Sequence, residues 1–184
     1  MEYHLNLPVN KNEIKKLRVG DILYLSGTIF TSRDAGHKKM LDVSKLPFKP
    51  DDMALFHCGP LVKKDNGIWK VISAGPTTSI RMEIFEDSFI ERFDISIIIG
   101  KGGMGKRTKK ALQKDICVYT SFTGGAGVFA ADKIEEVLDV FWIDELGMPE
   151  AIWIFNVKDF GPLIVSMDSN GNSIYEDIKN KVII

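Results

Sequence analysis

Cysteine is almost missing from this chain. Its two examples in 184 residues, Cys58 and Cys117, stand far apart and form no C-x-x-C pair. That excludes a zinc or iron–sulfur centre built on the cysteines of this chain alone, and both thiols are expected to be small buried apolar groups. Long apolar runs are lacking too: nothing approaches the ~20 residues of a membrane span. The N-terminus MEYHLNLPVNKNEIKK has neither a signal-peptide core nor an Arg/Ser-rich transit character, so the expected setting is the cytoplasm. There is no excess of one charge. Lys plus Arg number 24 against 25 Asp plus Glu, which gives no basic surplus to hold nucleic acid or an anionic membrane. Without repeats, low-complexity tracts or a Pro/Gly-rich linker, residues 1–184 are expected to form a single domain.

What is present reads as alternating strands and helices. Glu2–Pro8 is expected as a strand and Asn12–Leu17 as a short helix closed by Gly20. Strands follow at Asp21–Phe30, Met53–Val62 and Ile68–Ala74, the last two around the turn KKDNG. Asp34–Val43 and Met82–Phe93 read as helices. Asp94–Ile99 is an apolar run without alternation, expected as a buried strand. Lys106–Lys114 is a helix, Ile116–Thr120 a strand and Ala126–Ala131 a helical turn. Ile134–Ile143, Ala151–Val157 and Pro162–Met167 read as β structure with a turn at Ser169–Asn172, and Ile174–Val182 as a weak helix. Strands at both ends with helices between them argue for an α/β domain of mixed β/α layers, not a regular doubly wound sheet. Trp69, Trp142 and Trp153 are expected in the core.

One stretch, IIIGKGGMGKRTKKAL (Ile97–Leu112), lays out an apolar strand, a glycine-rich turn and a basic helix. That is the order of a nucleotide-binding P-loop, and VFWIDE (Val140–Glu145) imitates the acidic strand that completes such sites. Against ATP, Arg107 stands where the magnesium-ligating hydroxyl belongs, and Thr108 comes one residue too late. The loop is still expected to bind an anion, because helix N-terminal N–H groups point outward.

Two further polar segments follow apolar strands. SGTIFTSRDAGHKKM (Ser26–Met40) brings Arg33, Asp34 and His37, and SAGPTTSIRME (Ser73–Glu83) brings Thr77, Thr78 and Arg81. Strand ends are where β/α domains present ligands. With Lys101 these segments offer two guanidiniums, one ammonium and two hydroxyls, a set suited to a small dicarboxylate held at both ends. Taken singly, each has a plainer role: Asp34 as a partner for Arg33, Thr77 as a helix cap, His37 as a surface or hydrogen-bonding histidine. His4 and His57 stand in no motif.

Together, GTIFTSRDAGHKKM, SAGPTTSIRM, GKGGMG, TGGAGVFAAD and DELGMPEAIWIFNVKDFGPLIVSMDSNGN resemble the β subunit of class I fumarate hydratase. That subunit is equivalent to the C-terminal domain of the single-chain enzymes, and the L(+)-tartrate dehydratase β subunit is similar. The resemblance runs in the family's order over nearly the whole chain. It implies a swivelling β/β/α domain and a hydro-lyase of the tricarboxylic acid cycle, active only with an α subunit in an α2β2-type assembly. It further implies that the α subunit carries the [4Fe–4S] cluster on three cysteines, with no metal held by this chain. On this resemblance Arg33, Arg81 and Lys101 match substrate-carboxylate groups, with Thr78 beside them, and Thr77 matches the hydroxyl that takes the C3 proton of malate. Asp34 and His37 are assigned to orienting Arg33 or supporting it from behind. Ser79-Ile80 departs from the small Ala-Gly pair of many relatives, which leaves fumarate and tartrate both open as substrates.

Overall fold

The apolar strands pair into a sheet that closes on itself. The computed structural model describes residues 1–51, 53–123, 125, 127–176 and 178. In chain order the elements are β1 (Glu2–Asn6), α1 (Lys11–Ile14), β2 (Ile22–Thr31), α2 (Asp34–Asp42), β3 (Ala54–Phe56), β4 (Leu61–Asp65) and β5 (Ile68–Ser73). Then come α3 (Glu83–Phe93), entered through a 3-10 turn at Ser79–Met82, β6 (Ile97–Gly100), α4 (Lys106–Asp115), β7 (Val118–Ser121), α5 (Gly127–Asp132), β8 (Ile134–Phe141), α6 (Ile143–Leu146) and β9 (Ile152–Met167). The main sheet runs β1-β2-β3-β6-β7-β9-β8, and β2 also pairs with β9. Hydrogen bonds therefore pass from β2 through β3, β6, β7 and β9 back to β2, closing a barrel with β1 and β8 as flanking strands. Closure removes the exposed edges that an open sheet would carry.

Both faces of the sheet are buried at β3, β6 and most of β7 and β9, and the period of two along each strand sorts the side chains. Ile29, Phe56, Ile97, Ile99 and Val118 point into one apolar cluster with Trp153, Phe155 and Phe160. Their neighbours Phe30, Leu55, Ile98 and Tyr119 point into a second cluster, beneath Phe89 and Ile90 of α3 and Leu112 of α4. The layers are mixed α/β, as the alternation of elements implied, and Cys58 and Cys117 are unpaired and buried.

Several boundaries differ from the sequence reading. The strand expected over Met53–Val62 splits after Phe56. β3 stays in the barrel while β4 leaves to form a hairpin with β5, whose turn Asn66-Gly67 has both φ angles positive. The two strands expected at Ala151–Val157 and Pro162–Met167 are one strand, β9. Gly161 and Pro162 sit where its pairing with β2 shifts register, so residues read as a break serve as an irregularity within a continuous strand. A Cβ on Gly161 would lie 2.5 Å from the Leu23 carbonyl oxygen, which explains the glycine. The strand expected over Ile134–Ile143 ends at Phe141, because Trp142 turns into the left-handed region and α6 follows. Trp153 is fully buried, whereas Trp69 and Trp142 are partly exposed and pack against the clusters from outside. The weak helix expected over Ile174–Val182 lies largely outside the described residues.

Trp153 is the largest fully buried side chain and meets the ring of Trp69 edge-on at 5.2 Å. Trp153→Ala is expected to destabilise the chain by about 3–5 kcal/mol, read as a lowered urea midpoint. A loss below about 1 kcal/mol would mean that the barrel interior collapses into the space.

Candidate active site

Strands β2, β3, β6 and β7 run parallel, so their carboxyl ends open on one rim, the usual place for ligands in such sheets. Ser32 and Arg33 leave β2 there, His57 leaves β3, and Lys101 leaves β6.

Arg33 is held by the segment just before β9. Its Nε lies 3.3 Å from Glu150 Oε1, with the side chain 20% exposed. Glu150 Oε2 also accepts the Ala35 amide at 2.9 Å, fixing the first turn of α2. The guanidinium runs over Gly59, where a Cβ would come within 2.5 Å of Nη1. Asp34 does not orient Arg33. It pairs with Arg81 instead, through Nε to Oδ1 at 3.1 Å and Nη2 to Oδ2 at 2.7 Å, a side-on contact that leaves Nη1 of Arg81 available. Asp34 and Arg81 thus come together from positions 47 apart in the sequence.

Thr77 and Thr78 are brought beside Lys101 by backbone bonds. The Thr77 amide donates to the His57 carbonyl at 2.7 Å, and Ser79 N–H donates to Lys101 O at 3.0 Å. Thr78 and Lys101 form a parallel bridge. Thr77 and Lys101 are half-buried while Thr78 and Arg81 are exposed. Among the described residues the Lys101 ammonium forms no ion pair.

Beneath this rim lies a polar cluster in which sequence reasoning missed two members. His37, His57 and Glu86 are each 0% exposed. Glu86 Oε2 stands 3.1 Å from His57 Nε2 and 3.6 Å from His37 Nε2. His37 is therefore neither at the surface nor among the rim groups; it packs against Phe89 with ring centroids 4.2 Å apart and the rings tilted by 31°. Glu86 was legible in principle. On α3 it falls in the apolar stripe with Met82, Phe89, Ile90 and Phe93, where a carboxylate is out of place. Burial alone would raise the Glu86 pKa, but the adjoining His57 and His37 imidazoles outweigh it and hold the carboxyl down at about 2. Among the described residues this trio is the one group of three or more His, Cys, Asp or Glu side chains whose ligand atoms all lie within 4.8 Å of each other.

The glycine loop has its anion already. Glu83 Oε2 accepts the Gly105 amide at 2.7 Å, and Oε1 accepts those of Arg107 and Thr108 at 3.0 and 3.3 Å. The Thr108 hydroxyl donates to Glu83 Oε2 at 2.6 Å. The N-terminus of α4 is thus capped by the chain's own carboxylate. The P-loop reading of GKGGMGK is corrected accordingly: the position a nucleotide phosphate would need is filled by Glu83. An iron–sulfur cluster does not fit this chain either. Cys58 and Cys117 are fully buried, and burial pushes both thiols well above their usual range, away from the thiolate a cluster needs.

Residues 1–178 match the family described as Fumarase C-terminus. The chain belongs to that family. Relatives of this fumarase C-terminus chain carry two kinds of name. "Putative L(+)-tartrate dehydratase subunit beta" of Methanocaldococcus jannaschii is 47% identical over 186 residues, spanning 99% of this chain and 95% of its own. "L(+)-tartrate dehydratase subunit beta" of Escherichia coli (strain K12) is 42% identical over 180 residues, 97% of this chain and 89% of its own. "Putative fumarate hydratase class I" of Geobacillus stearothermophilus is 44% identical over 176 residues, 95% of this chain but 34% of that longer protein. The fumarase C-terminus chain therefore corresponds to nearly all of a β subunit and to about a third of that fumarate hydratase.

The Glu86 carboxyl is depressed in the folded state, from 4.5 to about 2. Its contribution to stability is present above the unfolded value and is lost as pH falls through the folded one. Urea midpoints of the wild-type chain and Glu86→Gln are expected to differ most near neutrality and to converge between about pH 4.5 and pH 2. Parallel curves across that range would show that Glu86 is not ionised in the fold.

Proposed function

We propose that this chain is the β component of a two-part hydro-lyase that reversibly adds water to fumarate, giving (S)-malate. The observation that carries the reading is the gathering of Arg33, Arg81, Lys101, Thr77 and Thr78 on one rim, in a chain of the fumarase C-terminus family. Arg81 meets Asp34 side-on, and Arg33 approaches Glu150 through Nε alone, which leaves guanidinium nitrogens of both for a substrate carboxylate. Lys101 adds a point charge for the second carboxylate, and Thr78 a hydroxyl beside it. In the direction of dehydration, the C3 proton of malate passes to the Thr77 hydroxyl side of the site while negative charge builds on the adjacent carboxylate. The cations stabilise that aci-carboxylate. A threonine hydroxyl is a weak base, so it would hand a proton on to a carboxylate supplied by the partner. Collapse of the aci-carboxylate to the C2=C3 double bond would break the C2–O bond, the hydroxyl leaving as water on the partner's side of the site.

The [4Fe–4S] cluster of this chemistry is assigned to the α subunit, because the two buried thiols here do not fit it. The partner is thus an iron–sulfur protein, completing an α2β2-type assembly in the cytoplasm, and the domain swivels to close over the substrate. A hydroxy-dicarboxylate such as L(+)-tartrate suits the same cations, and two of the three relatives described above bear that name.

Anaerobic co-purification with the cluster-bearing partner, followed by assays on fumarate and on L(+)-tartrate, tests the reading and separates the substrates. Arg81→Ala is expected to lower turnover by about 100-fold or more while leaving the thermal melt of the chain unchanged, since Arg81 is exposed. Near-normal turnover in that variant would remove Arg81 from the site. Wild-type complex without activity on either acid would overturn the hydro-lyase reading.

A further inference from the structure

Glu86 is an expensive residue in its position. A carboxylate wholly removed from water loses several kcal/mol of hydration, and the stripe of α3 it occupies is otherwise filled by Met82, Phe89, Ile90 and Phe93. Replacing such a buried ionic group with a well-packed apolar one is often neutral or stabilising. Stability alone therefore gives no reason for a carboxylate here, and its contacts point elsewhere.

Each imidazole that faces Glu86 turns its other nitrogen toward a segment of the rim. His37 Nδ1 lies 2.8 Å from Ser32 Oγ and 3.0 Å from the Arg33 carbonyl oxygen. His57 Nδ1 lies 3.0 Å from Ser79 Oγ, in the turn between Thr77 and Arg81. Ser79 Oγ in turn accepts the Lys101 amide at 3.1 Å and meets Tyr119 OH at 3.0 Å. Tyr119 OH also donates to Gly102 O at 2.9 Å, one residue beyond Lys101. The packing here is tight: a Cβ on Gly100 would fall 2.0 Å from Ser79 Oγ. Two paths thus leave one carboxylate, one ending on the backbone of Arg33 and the other on the backbone of Lys101 by way of the threonine turn.

We propose that Glu86 is a positioning residue of the dicarboxylate site, acting through His37 and His57 to set the spacing of Arg33, the Thr77–Arg81 turn and Lys101. The proposal rests on the reading of the rim given above. Glu86 touches no substrate; it holds the groups that do. Two carboxylates of one small acid must meet cations whose separation is fixed, and charge stabilisation in the transition state is lost when donors shift by about 1 Å. Glu86 Oε2 stands close to both imidazoles at once, 3.1 Å from His57 Nε2 and 3.6 Å from His37 Nε2, so the two paths start from one atom.

The test compares Glu86→Gln, His57→Asn and their combination in the complex with the cluster-bearing partner, with Arg81→Ala alongside. Glu86→Gln keeps the shape and removes the charge. His57→Asn keeps a polar group near Ser79 but loses Glu86. Each single variant is expected to lower kcat per folded molecule about tenfold or more, with a smaller change in KM. The double variant should lose no more than the worse single, because both break one path. Wild-type kcat in a folded Glu86→Gln complex, with Arg81→Ala impaired, overturns the proposal and leaves the function standing. Wild-type kcat in both Glu86→Gln and Arg81→Ala removes the rim reading and the proposal with it. If Glu86→Gln does not fold, His57→Asn decides by the same criterion. Elemental analysis of the chain adds a further arm: stoichiometric zinc, lost on substitution of Glu86 or His57, would make the trio a metal site and overturn the positioning role.

Discussion

Closure of the sheet depends on β9. It pairs with β2 along one edge and with β8 and then β7 along the other, and without it the parallel strands would form an open sheet. The same pairing reaches the rim. The Trp153 amide donates to Thr31 Oγ1 at 3.1 Å, at the last residue of β2, and Gly36 packs so closely on the entry to β9 that a Cβ would lie 2.9 Å from Ile152 Cδ1. Glu150, two residues before β9, is the carboxylate that holds Arg33. Where Arg33 points is thus decided by how the barrel closes.

The rim and the layer beneath it handle charge in opposite ways. Arg81 and Asp34 are 49% and 33% exposed, and pairs of that kind contribute about 0–1 kcal/mol. Such a pair can be reshaped around an incoming carboxylate at little cost, which suits a group that must bind and release. Glu86 and its two imidazoles are out of water altogether, where removal of one partner is strongly destabilising. The rim thus carries its charge on half-exposed side chains, and the layer beneath carries it on a group closed off from water.

How far the sequence showed this varied with the range of the interaction. Local signals held well: the hairpin turn at Asn66-Gly67, the buried strand seen at Ile97–Gly100 and the helix after the glycine loop need only neighbouring residues. Pairings between distant segments were hidden. Nothing near Asp34 announces Arg81 as its partner, and nothing near Arg33 announces Glu150, because the first pair depends on β2, β3 and β6 lying side by side and the second on sheet closure by β9. His57 looked like an isolated histidine because its partners, Ser79 and Glu86, arrive from a later turn and helix. Glu86 left a trace, a carboxylate in an apolar stripe. Gly161-Pro162 misled in the other direction, since breaker residues and bulge residues are of the same type and only the partner strand tells them apart.

The glycine loop shows why a motif needs its surroundings. A strand, a glycine turn and a helix N-terminus make an anion site wherever they occur, and the composition of the loop does not say which anion comes. Here the answer lies two residues beyond Arg81. Glu83 opens α3 and caps α4, and Asp87 one turn later takes Arg107 through Nε and Nη2 at 3.0 and 2.7 Å. With Glu86 turned inward to the histidines, three carboxylates within five residues tie the start of α3 to the neighbouring helix on one side and to the barrel on the other. Arg81, at the entrance to that helix, inherits a fixed backbone although its own side chain is half in water. The anion at the start of α4 is the chain's own Glu83, which ties α3 to α4, while the Lys101 ammonium and the half-exposed Arg81 stand apart from it at the rim.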